Sequence, residues 1–291
     1  MPIRAALWFF LPLIFACDVT FPDAGAAKMT IQELLARHLD SIGTPEARAS
    51  AKNVVGSGTS QVVFRIPGTG QLSGTGSVLS EGRMIRIEMV FAAQDYQSER
   101  LVFDGNNVDV GQIQILERSM LSDFVYHYGM GMLKEGLIGG AMTTAWAMLD
   151  VPGRQPKLDY SGLKKVGGKN MHELRYRPKK DPGDLQIALY FDPETFRHLY
   201  SQYRLVIRGG VGQRTRPTSA DPGGTAPEDS FFKLEEWFED FQTVDGLTLP
   251  HKYRIRFNRE GPNPFLCEYG ITLTRVLHNQ TIDPKSFIIL K

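Results

Sequence analysis

The sequence predicts an α+β fold built around one large antiparallel sheet. Two observations support this prediction. Alternating, β-branched segments recur from about residue 53 to about residue 112 and again over 158–277, whereas helical apolar periodicity is confined to 30–42 and 119–150. Glycine (29 residues) and proline (17 residues) are frequent enough to supply the turns between many consecutive strands.

The first predicted element is a helix over about residues 30–42. Thr30 is a good N-cap and Glu33 completes a capping box, while apolar residues at helical spacing form one stripe. Gly43 ends this helix. The following Pro45 begins a second short helix, because proline is favoured at the first helical position.

The next segments predict a meander of sequential strands. "NVVGSGTSQVVFRI", which begins at Asn53, is β-branched and alternating. "GTGQLSGTGSVLSE" and "RMIRIEMVF" follow, and in "ERLVFDGNNVDVGQ" two strands flank a turn at 104–107. Strands that follow one another in this way pair as antiparallel neighbours.

Residues 119–150 interrupt the strand pattern and predict two buried helices, or a helix pair that covers the sheet. "SMLSDFVYHYGMGMLKEG" has apolar residues at helical spacing, although Gly129 and Gly131 weaken the pattern. "LIGGAMTTAWAML" is apolar nearly all round but too short to cross a bilayer. Five of the ten methionines of the chain lie in this block.

The strand pattern resumes at residue 158. The candidate strands are 158–166, 170–177, 186–192, 198–208, 231–242, 246–258 and 264–277. Residues 208–230 are rich in Gly, Pro, Ser and Thr and predict a long flexible loop. Because similar strands flank this loop, it does not read as a domain linker, and residues 27–291 are expected to form a single domain.

The N-terminus has the features of an export signal with two alternative endings. Arg4 supplies the positive charge, and "ALWFFLPLIFA" forms an apolar run too short for a permanent membrane span. Ala24-Gly25-Ala26 is a cleavage site, which makes residues 1–26 the signal. Alternatively "IFAC" resembles a bacterial lipobox, in which case residues 1–16 are removed and Cys17 is lipidated.

The sequence lacks the familiar catalytic and cofactor signatures. It contains no G-x-S-x-G, P-loop, H-E-x-x-H or C-x-x-C motif, and its six histidines are scattered. A formal charge of +1 without a long basic run disfavours nucleic-acid binding. We therefore predict a non-enzymatic protein with no cofactor and no metal. An enzyme would instead gather several dispersed side chains in one cleft, chosen from Asp104, His127, His172, Glu173 and Glu236.

Three groups of motifs together resemble one protein family. They are "IQELLARHLDSIGTPEARASAKNVVGSGT" (31–59), "LVFDGNNVDV" (101–110), and "ALYFDPETFRHLYSQYRL" (188–205) followed by "EEWFEDFQTVDGLTLPHKYRI" (235–255). The order of "FDPET", an aromatic and acidic strand, and "VDGLTLPHKY" is the most specific part. These motifs are similar to those of bacterial envelope proteins in the LolA/LolB-like lipoprotein-carrier superfamily, and the resemblance covers most of residues 30–277.

The resemblance implies a strongly curved antiparallel sheet, an open half-barrel, with helices covering its concave face. It also implies an exported, periplasmic protein that holds a lipid, an acyl chain or an acylated lipoprotein in an apolar cavity, with possible membrane contact. Unbranched methionine side chains suit such a cavity because they repack around varied ligands. The expected lining residues are Phe124, Tyr128, Met132, Met142, Trp146 and Met148.

An alternative function stays open at this point. The same fold with a filled core would make a structural or interaction protein of the envelope. That alternative predicts an exposed apolar patch or a free strand edge for a partner in place of an enclosed cavity.

The two endings of the signal predict different masses for the mature protein. We expect the denatured protein purified from a bacterial envelope to begin at Ala27, because Ala24-Gly25-Ala26 matches the cleavage pattern. Intact-mass spectrometry measures this. A diacylated or triacylated mass that begins at Cys17 would contradict cleavage after Ala26 and would indicate a membrane-anchored lipoprotein.

Overall fold

A computed structural model provides the coordinates of the protein, and it describes residues 29–111, 118–180, 183–209 and 229–288. The predicted export signal, including Cys17 and Ala26, lies outside these residues. So does most of the predicted loop 208–230.

Twelve strands form one antiparallel sheet. The strands are β1 Asn53–Ile66, β2 Gly70–Glu81, β3 Met84–Phe91, β4 Ser98–Phe103, β5 Val108–Gly111, β6 Lys157–Val166, β7 Lys169–Arg177, β8 Gln186–Phe191, β9 His198–Ile207, β10 Ser230–Val244, β11 Leu247–Glu260 and β12 Phe265–His278. Their order across the sheet is β5-β4-β3-β2-β1-β12-β11-β10-β9-β8-β7-β6. The edge strands β5 and β6 do not pair with each other, so the sheet is an open, curved half-barrel, as the sequence predicts.

The centre of the sheet joins the two ends of the chain. β1 pairs with β12 along almost its whole length, from Val54 opposite His278 to Ile66 opposite Leu266. All other neighbours in the sheet are also neighbours in sequence. The pairing of β1 with β12 therefore links a five-strand meander to a seven-strand meander.

Alternation along each strand separates the two faces of the sheet. In β10, Leu234, Glu236 and Phe238 point to the concave face, and the intervening Glu235 and Trp237 lie on the outer face. The register supports this, since Phe238 lies opposite Tyr253, and both are buried in the main core. Period-two alternation of this kind is the signal from which the strands are predictable.

Two helices precede the sheet, and both begin as the sequence predicts. In α1 (Ile31–Ile42) the Thr30 hydroxyl accepts a hydrogen bond from the Glu33 amide at 3.1 Å. In α2 (Pro45–Ser50) proline occupies the first position. The apolar stripe of α1 packs on the concave side, where Leu34, His38 and Ile42 are buried.

The segment 118–154 covers the rest of the concave face, but it does not form two regular helices. It consists of α3 (Met120–Phe124), a π-helical turn (Val125–Gly129), α4 (Met130–Lys134), two 3₁₀ turns (Gly140–Met142 and Ala147–Asp150) and α5 (Val151–Arg154). Glycines at 136, 139 and 140 have positive φ angles, which interrupt helical geometry. Tertiary packing therefore overrides the helical periodicity of this segment.

No helix among the described residues has both the length and the apolar character that a membrane crossing requires. Cys267, the free cysteine in this part of the chain, is buried in β12 as the sequence suggests.

Gly136 is the position in this covering segment where a side chain is most clearly excluded. Its φ angle is +64°, and an added Cβ would clash with the carbonyl oxygen of Ala145. We expect Gly136→Ala to lower the free energy of unfolding by more than about 2 kcal/mol, measured by urea denaturation. Gly131→Ala is the matched control, because Gly131 lies in α4 with open space around it, and we expect no loss or a gain of up to about 1 kcal/mol. Equal losses in the two variants would contradict this explanation.

Candidate functional site

Five of the six predicted lining residues lie in the packed layer between segment 118–154 and the sheet. Phe124, Met132, Met142, Trp146 and Met148 are at most 2% exposed. Tyr128 is different, because 45% of its surface is exposed. The concave face is thus filled where Trp146 and Met142 lie, and it opens toward Tyr128.

Aromatic rings connect this packed layer to the open end. Phe124 stacks on Phe232 of β10 with ring centroids 5.4 Å apart and lies 5.1 Å from Phe257 of β11. The centroid of the Tyr128 ring lies 5.8 Å from the centroid of the Phe232 ring. Tyr128 therefore borders both the aromatic core and the solvent.

A half-enclosed groove with a volume of about 1550 Å³ begins beside Tyr128. It exists because β8 is shorter than β9: Gln186 pairs with Arg204, but β9 continues to Ile207. Among the described residues, Leu205–Ile207 have no strand partner on the side of β8. The groove lies between this free stretch, the residues around Gly183 and the helical turns 127–135.

Apolar side chains form a little more than half of the groove lining. Met132 and Leu205 are buried and belong to the main core, so the groove is continuous with the packed layer. The other apolar lining side chains are Phe103, Tyr128, Met130, Leu185, Ile187, Val206, Ile207 and Phe231. Tyr128 and Met132 are thus the two predicted residues that line this groove, and Phe124, Met142, Trp146 and Met148 lie behind it.

Positive charge surrounds the groove. Five basic side chains line it, namely Arg83, Lys134, Lys180, Arg204 and Arg208, against the two carboxylates of Glu135 and Asp184. In the described part of the chain, none of these five cations forms a salt bridge with a carboxylate. Glu135 is engaged by the Tyr176 hydroxyl, which donates to it at 2.5 Å. The groove therefore carries an excess of positive charge in a chain whose formal net charge is only +1.

Glu236 of β10 holds the covering segment 118–154 against the sheet through hydrogen bonds. Its carboxylate accepts hydrogen bonds from the Gly139 amide at 2.9 Å, from the Tyr203 hydroxyl at 2.7 Å and from the Tyr253 hydroxyl. The residue is fully buried, and burial raises its pKa to about 7 although these three donors favour the charged form. Glu236 thus holds the loop that contains Gly139 against β9, β10 and β11.

A second buried polar contact joins the covering segment to α1. The Trp146 indole N–H donates to Nε2 of His38 at 2.8 Å, and Nδ1 of His38 lies 3.0 Å from the Phe196 carbonyl. Burial lowers the pKa of His38 to about 4, so its ring is neutral at pH 7. The Trp146 ring also stacks on His198, with centroids 4.5 Å apart. This arrangement explains His38 as a packed, hydrogen-bonded histidine.

Four of the dispersed side chains that an enzyme would gather, namely Glu236, Glu173, His172 and His127, do not meet in one cleft. Glu236 is buried under Gly139, whereas Glu173 lies on the outer face of the sheet with Tyr190. His172 contacts Tyr160, and His127 sits at the groove, where it pairs with Asp123. In the residues that the structure describes, no group of three or more His, Cys, Asp or Glu side chains has a geometry that could hold a metal ion.

Sequence reasoning missed most of the groove. Met130, Val206 and Phe231 are apolar and exposed. In the sequence, only an interruption of the strand or helix periodicity could have indicated this exposure. The five cations come from separate segments, and no local motif groups them. For the buried position of Glu236 the sequence contains only a weak indication, which is an acidic residue at an inward position of an alternating strand.

Three solved structures are similar to this chain over most of both chains. A LolA superfamily protein from Nitrosomonas europaea is 12% identical, with 89% of this chain and 98% of that chain covered and a TM-score of 0.45. A DUF1329 family protein from Desulfovibrio piger is 11% identical, with coverage of 89% and 97% and a TM-score of 0.45. An outer membrane lipoprotein-sorting protein domain from Vibrio parahaemolyticus is 9% identical, with 87% of this chain and 97% of that chain covered and a TM-score of 0.44.

The first of these structures bears the name of the superfamily that the sequence motifs resemble. A scan against protein-family models gives no match, and a search of the curated proteins gives none either.

Glu236 should make the stability of the protein depend on pH. The pKa of Glu236 is raised to about 7 from an ordinary value of 4.5, so the folded chain binds more protons than the unfolded chain between these values. Stability from this group is complete below pH 4.5 and is lost as the pH rises through 7. The free energy of unfolding of the wild type minus that of Glu236→Gln should fall by up to about 3 kcal/mol over this range. Urea denaturation at a series of pH values measures it, with the half-exposed Glu239→Gln as control; a pH-independent difference would refute this role.

Proposed function

We propose that the protein is an exported, non-enzymatic carrier of the bacterial envelope that binds an acyl chain of a lipid or an acylated lipoprotein in the groove beside Tyr128. The observation that carries the proposal is the groove itself. It is half enclosed, lined by Met130, Met132, Leu205 and Tyr128, and continuous with the hydrophobic core. The export signal and the motifs in the sequence support an envelope location, with release into the periplasm favoured over anchoring at Cys17.

The size and chemistry of the groove suit an acyl chain. Its volume of about 1550 Å³ exceeds the roughly 300–1000 Å³ of ordinary small-molecule pockets. Burying each CH₂ group of a chain contributes about 0.8 kcal/mol. Met130 and Met132 can adopt different rotamers around chains of different length, because a thioether side chain is unbranched and soft.

The groove can deepen without unfolding the sheet. Met132 forms the boundary between the groove and the packed layer, and it sits on α4 between Gly129 and Gly136. Behind it lie Phe124, Met142, Trp146 and Met148, the remaining predicted lining residues. We propose that a bound acyl chain displaces Met132 and extends toward Phe124, so that these residues line the cavity in the loaded protein.

A second candidate function also has an observation in its favour. The residues around Trp146 and Met142 are packed, as they would be in an interaction protein with a filled core. In such a protein the groove would bind a partner surface, and its affinity for single acyl chains would be negligible.

The dependence of affinity on chain length separates the two candidates. For delipidated wild-type protein, saturated fatty acids of 12 and 16 carbons differ by four CH₂ groups. Complete burial of these groups would strengthen binding by about two orders of magnitude. Isothermal titration calorimetry measures both affinities. We expect a Leu205→Ser variant to lose most of this dependence and Leu163→Ser, an exposed residue on β6, to retain it.

Absence of fatty-acid binding, or equal affinity for both chain lengths, would overturn the carrier proposal and favour the interaction protein. Urea denaturation of Leu205→Ser is the accompanying check, because Leu205 is buried and its replacement also lowers stability.

A further inference from the structure

Exposed apolar side chains are concentrated around the mouth of the groove. The described part of the chain has ten exposed large apolar residues, and four of them line this groove: Tyr128, Met130, Val206 and Phe231. Their exposed fractions are 37–48%. Val206 and Phe231 lie opposite each other in the β9–β10 ladder on the outer face of the sheet, whereas Tyr128 and Met130 lie on the covering segment. The four residues come together at the strand ends that border the groove. Clusters of this kind mark interaction surfaces, whereas single exposed apolar residues do not.

Basic side chains surround the same surface. Arg83, Lys134, Lys180, Arg204 and Arg208 are all exposed, and no carboxylate of the described residues forms a salt bridge with them. Glu135 and Asp184 offset only part of their charge. We call this surface, the four apolar residues and the five cations together, the mouth face.

We propose that the mouth face docks on an anionic lipid bilayer. Exposed apolar and aromatic groups beside a basic rim are the combination that binds the headgroup boundary of such a membrane. The apolar groups enter the boundary between headgroups and acyl chains, and Tyr128 is suited to it because its ring is apolar and its hydroxyl is polar. The five cations contact lipid phosphates, and the long stems of Lys134 and Arg208 let their charged ends reach that plane.

This docking goes beyond the proposed function, since a protein could bind a membrane here without holding an acyl chain. The geometry nevertheless relates membrane docking to acyl-chain binding. The groove opens within the mouth face, so docking would place its opening at the depth where acyl chains begin. A chain could then move between bilayer and groove with little exposure to water.

Vesicle flotation tests the proposal on the full mature chain. The probes are phosphatidylcholine vesicles with and without about 30% phosphatidylglycerol. We expect the wild type to float with the anionic vesicles, to bind the neutral ones at least tenfold more weakly, and to be released at about 1 M NaCl, where charges are screened beyond about 3 Å.

Two double variants and their matched controls identify the surface. Lys134→Gln with Arg208→Gln should weaken binding to anionic vesicles by about 30-fold, because each cation near the surface contributes about fivefold. Lys164→Gln with Lys165→Gln removes the same charge from exposed positions on β6 and should leave binding unchanged. Met130→Ser with Phe231→Ser should also weaken binding, and Val90→Ser with Leu163→Ser, exposed apolar residues elsewhere, should not.

Equal flotation with neutral and anionic vesicles, equal losses in test and control variants, or no flotation of the wild type would each overturn the docking proposal. Fatty-acid titration of the same proteins keeps the two proposals apart. A wild type that binds fatty acids but not vesicles refutes docking and leaves the carrier function intact, whereas the reverse refutes the carrier function alone.

Discussion

The concave face of an open twelve-stranded sheet must be covered, and a single chain segment, 118–154, covers most of it. Many backbone N–H groups of this segment bond to carbonyls within its own short turns, and others need partners elsewhere in the fold. Glu236 supplies one partner by accepting from the Gly139 amide, and the bond from Trp146 to His38 ties the same segment to α1. These contacts lie at the centre of the core. They fix the covering layer to the sheet at Gly139 and to α1 at Trp146.

The groove lies where this coverage ends. The covering layer is densely packed around Trp146. Near Tyr128 the sheet has one strand fewer, because β8 begins only at Gln186. The groove requires no separate cavity in the core. It results from a strand-length mismatch beside a helical turn, and Met132 is one of the buried core side chains that line it.

Local signals in the sequence predict most of the fold. The Thr30 cap and the proline at position 45 mark both N-terminal helices, and alternation marks the strands to within two residues at most ends. Segment 118–154 was less predictable. Its periodicity is helical, but Gly136 and Gly139 have positive φ angles, and an added Cβ at these positions would meet Ala145 and Ile87 respectively.

The candidate site was predictable only in part, for a related reason. Apolar character identifies Trp146 and Tyr128 equally well, yet it cannot tell a packed residue from one beside a groove. That distinction depends on where β8 ends relative to β9, which is a property of the register. The basic residues of the mouth face come from different turns and strands, so their proximity exists only in the folded chain.

The pairing of β1 with β12 has a consequence for how the chain folds. Contact between residues 53–66 and 265–278 closes a loop of most of the chain, and such long-range closure is slow compared with hairpin formation. A chain synthesised from its N-terminus therefore leaves one edge of β1 unpaired until β12 is available. Until then this edge is a template for pairing with other chains, which is a route to aggregation.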